Sequence, residues 1–408
     1  MIYSTVKPVE DAPYKIFPLN HNWQTPFKAG YQFLTDIITS GNGKEQRRAV
    51  RFEPRRTLEL ACNYFGEEKQ QLDRFMARGM EKPCWVPEEN LVCRTTSYMF
   101  GDDKDIFFEG AKQSWMEGGQ IVMLSDGWRK EIRTIQGISN SQMTFVEKSK
   151  TEFPAGTRIT PAVLAYIDLQ PKSTRLTSVA GTMGVKAEVL PGAELYPVGN
   201  AEQVYVGVRE FFGGRNNWGS SPEIDYMHER RMIDYDYGVV EAFLPFKYPA
   251  RTMKTTYLRK TGDTTKAVID FFLRHKGRNR EFLMQSFEPD IPYYAIASGS
   301  QSLLIKGLDF AYTYKDSTVF RRIMIKPKNG EPIHAAVDYV EALEDTETSV
   351  LWLTEPLPDA INLSPSKVFG ASWVFVSRFA TDRLDVEWLT DEVGSLALTV
   401  QTLENFDV

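Results

Sequence analysis

Apolar and polar residues alternate over Arg56 to Cys62, where Leu58, Leu60 and Cys62 share one face, and again over Arg251 to Tyr257, where Met253, Thr255 and Tyr257 do. A period of two predicts a β-strand at each place. Past a polar turn the spacing changes. Leu72, Phe75 and Met76 in one run, and Val268, Phe271 and Phe272 in the other, fall at i, i+3 and i+4, which gathers them on one helical face. Helices are predicted over Glu67 to Arg78 and Thr264 to His275, with Gly79 and Gly277 just beyond them as left-handed caps that suffer no Cβ clash. Each helix is followed by a short apolar segment, KPCWVP or EFLMQSF, suited to a second strand.

The order Arg-Thr, strand, turn, helix, glycine, strand therefore occurs twice, over Arg55–Leu91 and Ala250–Ile291, and such self-similarity predicts an internal duplication. The ends of the halves also correspond: Arg158–Val189 and Lys367–Val400 place Arg175-Leu176 and Arg383-Leu384 ahead of a final strand. Between helix and closing strands each half carries further strand signals, with hairpin turns at Asp126-Gly127 and Asn329-Gly330. These stretches read as a small barrel or sandwich inserted into the unit. Segments rich in Gly, Pro and Asn, Leu190–Asn200 and Gly213–Glu223, mark the boundary between copies, and EQVYVGVREFF between them reads as a connecting strand. The expected fold is mainly β with a minor α content. Residues 1–200 form a first unit with a β-rich insert at about 103–165, and residues 201–408 a second with an insert at about 298–370.

A chain of 408 residues exceeds one ordinary core, and its 42% hydrophobic and 25% charged residues exclude a disordered or collagen-like protein. The net charge of −6 comes without a run of Lys and Arg, so a specific nucleic-acid binder is not expected. The opening MIYSTVKPVEDAPYKIF lacks a basic start and an apolar centre, which predicts no signal peptide. No stretch approaches the roughly 18 apolar residues of a membrane span, so folding in a cytoplasm without membrane insertion is expected. Cys62, Cys84 and Cys93 are odd in number and form no CxxC pair; they read as small core residues, not as a disulfide framework or zinc site.

Catalytic chemistry finds no foothold. His21, His228, His275 and His334 show no i, i+4 pair and no HExxH, so each reads as a surface or structural histidine. SGNGKEQ, Ser40 to Gln46, has Ile38 and Glu45 where a phosphate loop needs Gly and Ser or Thr. GDDKD, Gly101 to Asp105, lacks the glycine and terminal glutamate of an EF-hand. No carboxylate pair is singled out for glycoside hydrolysis. Trp115, Trp128, Trp218, Trp352, Trp373 and Trp388 fall mostly in strand-like runs, where packing is the more common role of large rings than a sugar platform. No catalytic residue, cofactor or metal is assigned.

The segment WQTPFKAGYQFLTDIITSGNGKEQRRAVRFEPRRTLEL, Trp23 to Leu60, resembles the opening of tail proteins of long-tailed bacteriophages. In those, a strand and a short glycine-containing turn lead through Glu-Gln-Arg and Pro-Arg into another strand ahead of the helix; here the residues are Glu45, Gln46, Arg47, Pro54, Arg55 and Arg56. The helix and glycine followed by KPCWVP or FLMQSFEPDI is similar to the same family, so the resemblance touches both repeats. The second copy departs from it, carrying HERRMIDYDYGVVEAF, His228 to Phe243, in place of the Glu-Gln-Arg turn. The resemblance implies a distal-tail or baseplate structural protein whose unit is a tail-tube-like β-sandwich or barrel with one flanking helix. It further implies a homo-oligomeric ring, sixfold favoured and threefold the alternative, contacts with tail tube, hub and fibres, and a place in a virion tail assembled in the bacterial host cytoplasm.

Exposed strand edges suit ring formation, so function is expected in interfaces and not in catalysis. Arg47, Arg48, Arg51, Arg55 and Arg56, with Arg251 at the matching place in the second half, are the candidates for such an interface. They would bridge carboxylates between subunits or face the tail channel; a solvated strand face is the plainer role for such a run. A carbohydrate-binding receptor module and a tail-associated hydrolase are the alternative functions.

Overall fold

A computed structural model describes residues 14–40, 44–78, 80–127, 129–193, 203–206, 209–214, 217–227, 230–238, 240–243, 249–259, 261–296, 301–358 and 363–403. The fold is mainly β with minor helix. The first half contains β1 (Phe27–Thr39), β2 (Glu45–Phe65), α1 (Glu67–Arg78), β3 (Cys84–Pro87), β4 (Cys93–Arg94), β5 (Asp105–Phe107), β6 (Ile121–Asp126), β7 (Arg129–Ser139), β8 (Gln142–Phe145), β9 (Arg158–Ile167), β10 (Lys172–Arg175) and β11 (Ala180–Val189). The second contains β12 (Tyr205–Val206), β13 (Arg209–Glu210), β14 (Glu223–Met227), β15 (Arg231–Asp234), β16 (Val240–Phe243), β17 (Ala250–Arg259), α2 (Gly262–His275), β18 (Phe282–Gln285), β19 (Tyr293–Ile296), β20 (Ser302–Lys306), α3 (Asp309–Tyr314), β21 (Arg322–Pro327), β22 (Ile333–Leu343), β23 (Thr348–Leu353), β24 (Val368–Phe379), β25 (Arg383–Trp388) and β26 (Gly394–Thr402).

Strand pairing follows the same order in both halves. β2 lies between β1 and β11, and β11 then forks: Ala187–Val189 pair with β9, which carries β3, while Gly181–Gly184 pair with β10. Correspondingly β17 lies between β14 and β26, and β26 forks to β24, which carries β18, and to β25. The registers agree as well. Thr57 faces Glu188 as Thr252 faces Gln401, and Cys84 faces Ala165 as Phe282 faces Ser377. Even the entry segments match, for Phe17 N donates to Trp85 O at 2.9 Å and Phe212 N to Leu283 O at 2.8 Å. One sequence correspondence fails. Arg175 faces Gly181, and the residue that faces Gly394 is Trp388, so Arg175 takes the place of Trp388 and not of Arg383. Backbone register sets equivalence in a ladder, and by it the two Arg-Leu dipeptides, though each precedes a final strand, occupy different rungs.

Both central strands bury the predicted face, Leu58, Leu60 and Cys62 in β2 and Met253, Thr255 and Tyr257 in β17. β2 starts at Glu45, earlier than alternation suggests, because Pro54 is accommodated at an irregularity where the register steps from Gln32 opposite Arg55 to Leu34 opposite Arg51; a proline without N–H is tolerated at such a bulge. α1 spans the expected residues, and α2 opens earlier, where the Thr261 hydroxyl accepts from Thr264 N at 3.4 Å. Lys276, with φ 52°, makes the left-handed cap of α2, and Gly277 follows it with φ 62°; Gly79 lies outside the described residues. EQVYVGVREFF contributes the small β12–β13 hairpin.

The apolar faces of α1 and α2 meet one core that runs through both halves. Phe75 packs edge-on to Phe17 at 5.8 Å, and Phe271 lies 4.8 Å from Phe212. Two further cores stand apart from this one, formed by residues from Leu91 to Ile159 in the first half and from Ile291 to Phe375 in the second. The hairpins turn at Gly127 and Gly330, both with positive φ. Trp115, Trp373 and Trp388 are buried, Trp352 stacks on Tyr339, and Trp218 is exposed; Trp128 and His228 lie outside the described residues. All three cysteines are buried free thiols, and burial pushes each up to about 12, which keeps them protonated and unreactive.

His21, His275 and His334 are held below the ordinary imidazole range chiefly by burial. His21 accepts from Ala61 N at 3.0 Å, and His275 stacks on Phe271 at 4.2 Å. A base whose folded pKa is depressed binds fewer protons folded than unfolded, so stability is lost as pH falls through the unfolded value, 6.5 for these groups. The thermal midpoint is therefore expected to fall between about pH 7.5 and about pH 5. A flat profile over that window would mean that the imidazoles titrate in the fold as they do in the unfolded chain.

Candidate assembly interface

The halves are joined by sheet continuity. β1 of the first half pairs antiparallel with β25 of the second, in register from Phe27 opposite Trp388 to Gln32 opposite Arg383. On the core side Phe27, Ala29 and Tyr31 meet Trp388, Val386 and Leu384, all buried. On the other side Lys28 donates to Glu387 at 2.6 Å, which raises the ammonium pKa, and Arg383 pairs with Asp385 at 2.7 Å.

Past the ladder, Asp382 ties three elements together. Its carboxylate accepts from Thr35 N at 2.8 Å, Thr35 Oγ1 at 2.9 Å and Arg278 N at 2.9 Å, with Arg278 Nε at 3.3 Å. This close approach needs Gly277, since a Cβ there would come within 2.6 Å of Asp382 Oδ1. Phe33 packs on Phe272 at 5.8 Å beside it.

Farther out, the β1–β2 hairpin forms an arm that lies on the second half. The buried Arg378 grips Glu45 through two nitrogens, each at 2.8 Å. Arg47 donates to Glu281 at 2.9 Å, and Arg209 reaches the same carboxylate at 2.7 Å. Burial alone would raise the Glu281 carboxyl, but the hydrogen bonds from Arg209 and Arg47 outweigh it and hold the group below its ordinary value.

The candidate arginines thus divide. Arg47 bridges the two halves of one chain. Arg56 is buried in an ion pair with Glu88 at the root of the first insert, and its guanidinium lies 6.0 Å over the Tyr31 ring. Arg251 holds the matching place, 5.3 Å over Tyr226, 5.7 Å over Phe320 and 5.0 Å over Phe375. Arg56 and Arg251 therefore anchor the inserts. Arg51 donates to Gln32 O at 3.0 Å, while Arg48 and Arg55 are exposed on the arm. Sequence alternation located these side chains on a strand but could not find Asp382, Glu281 or Arg378, whose partners lie hundreds of residues away.

The sheet face turned from the core is largely polar in both halves, with Phe65, Tyr166, Met227 and Leu258 also exposed on it. Acidic Glu59, Glu188, Glu223, Asp225, Asp385 and Glu387 stand there with basic Lys28, Lys172, Lys186, Lys254 and Arg383, so the two signs are nearly balanced. Among the described residues no group of His, Cys, Asp or Glu is arranged to hold a metal ion, and no helix is long and apolar enough to cross a membrane. In the GDDKD turn Asp103 accepts from Phe100 N at 2.8 Å and Asp105 from Thr144 Oγ1 at 2.6 Å, so these carboxylates brace the loop. No protein-family model matches the chain, and no curated protein matches it either.

Proposed function

We propose that this chain is a structural component of a bacteriophage tail tip, a distal-tail-like ring that joins the tail tube to tip proteins or fibres, and that its halves are diverged copies of one tail-tube-like unit. The observation that carries the reading is the β1–β25 joint, by which one unit extends the sheet of the next and a largely polar face continues across the seam. Repeated head to tail, that joint makes a ring, and its largely polar face of mixed charge would line the central channel. The role lies in assembly within the virion tail, built in the host cytoplasm.

The joint also bears on copy number. Because one chain already supplies two units in series, the sixfold arrangement implied by the tail resemblance needs three chains, and this moves the preference from six chains to three. Gold-labelled antibody against the chain, applied to intact particles, is expected to decorate the tail tip. Label confined to capsids or to fibre ends would overturn the assignment, and retention on a glycan array by the isolated protein would redirect it to receptor binding.

A further inference from the structure

The internal joint uses one edge from each half and, among the described residues, leaves the complementary edges unpaired. Among the described residues β14 pairs only with β17, and β10 only with β11. β14 occupies in the second half the position of β1: Tyr226 faces Arg251 as Tyr31 faces Arg56. β10 occupies the position of β25, since Arg175 faces Gly181 as Trp388 faces Gly394. The molecule thus carries, at opposite ends of its shared sheet, the two halves of a joint it has already made once.

The charges of these edges are opposite. β10 reads Lys-Ser-Thr-Arg, exposed throughout, and β14 reads Glu-Ile-Asp-Tyr-Met, exposed except for half-buried Ile224. We propose that β14 of one chain pairs antiparallel with β10 of a second copy, in the register of the internal joint; the proposal rests on the ring reading above and names its contact. In that joint Gly30 faces Asp385. Transferring the register puts Asp225 opposite Lys172 of the next chain and Glu223 opposite Thr174, on the polar face. Opposite charges directly across a ladder stabilise it, and like charges oppose it, so the pairing selects head-to-tail order over edge-to-like-edge pairing. The β15–β16 hairpin, which falls between β14 and β17 in the chain, exposes Met232, Ile233, Tyr237 and Val240.

The test is a pair of substitutions, Lys172→Cys with Asp225→Cys, in full-length chain assembled into particles. Facing residues of an antiparallel pair have Cα atoms about 4.5–5.5 Å apart, within disulfide range, and the native cysteines are buried. Mild oxidation is expected to yield reducible chain multimers from the double variant and none from either single variant. Intact rings that give only monomer would overturn the edge pairing while leaving the tail-ring reading in place. Multimers from particles that lack a tail-tip ring would keep the pairing and remove that reading. Should the double cysteine variant fail to assemble, charge exchange decides: Asp225→Lys is expected to abolish rings and Asp225→Lys with Lys172→Asp to restore them, and rings indifferent to both, or lost in both, would refute the proposal.

Discussion

Replacing Asp382 by alanine is expected to lower stability by about 2–6 kcal/mol, because it strands two backbone donors, Thr35 N and Arg278 N, each costing about 1–3 kcal/mol when left without an acceptor. The Arg278 guanidinium loses its carboxylate partner in the same step and keeps its hydrogen bond to Thr35 O. Since these groups belong to β1 and to the turn after α2, the loss falls on the seam between the halves. Asp382→Asn keeps an acceptor oxygen and gives up the charge, so a smaller loss is expected. Denaturant midpoints of the two variants and the parent measure this. Equal midpoints for all three would mean that the seam is held by the ladder and the core alone.

Phe75→Ala and Phe271→Ala are expected to cost about 3–5 kcal/mol each, the usual range for emptying a buried phenylalanine site. The larger loss belongs to Phe271, which packs against Phe212, Phe282 and Phe379 and carries the stacked His275. Phe75 has Phe17 as its ring neighbour and sits on a helix whose outer face is largely charged. Thermal and denaturant unfolding of both variants test the ranking. Unchanged unfolding in both would put the helices on other faces.

What could be read from the sequence was local. The strand, helix and strand order of each half, the buried stripes of α1 and α2, and the hairpins at Asp126-Gly127 and Asn329-Gly330 follow from spacing over a few residues, and the folded chain keeps them. Long-range register could not be read. The joint of Phe27–Gln32 with Arg383–Trp388 links strands at opposite ends of the chain, and alternation on each strand is equally compatible with a free edge. The same limit explains Arg175-Leu176, matched by identity to a dipeptide that occupies another rung. It also explains the arginines. A run of alternating guanidinium groups announces a strand with one charged face, but whether Arg47 meets Glu281 of its own chain or a neighbour's carboxylate depends on a strand crossing that composition does not encode. The opposite charges of Lys172–Arg175 and Glu223–Met227 were present in the sequence, and became meaningful only when both segments proved to be edges.

On the reading proposed above, this chain closes into a ring around an axis, each copy supplying two consecutive units of a continuous sheet. Averaging images of the assembled tail tip and counting copies around the axis addresses it most directly, whatever the state of the free protein in solution. The expected density is a closed ring of three chains with six similar lobes and a central channel lined by the polar sheet face. A single off-axis copy, or a position at a fibre tip, would contradict it.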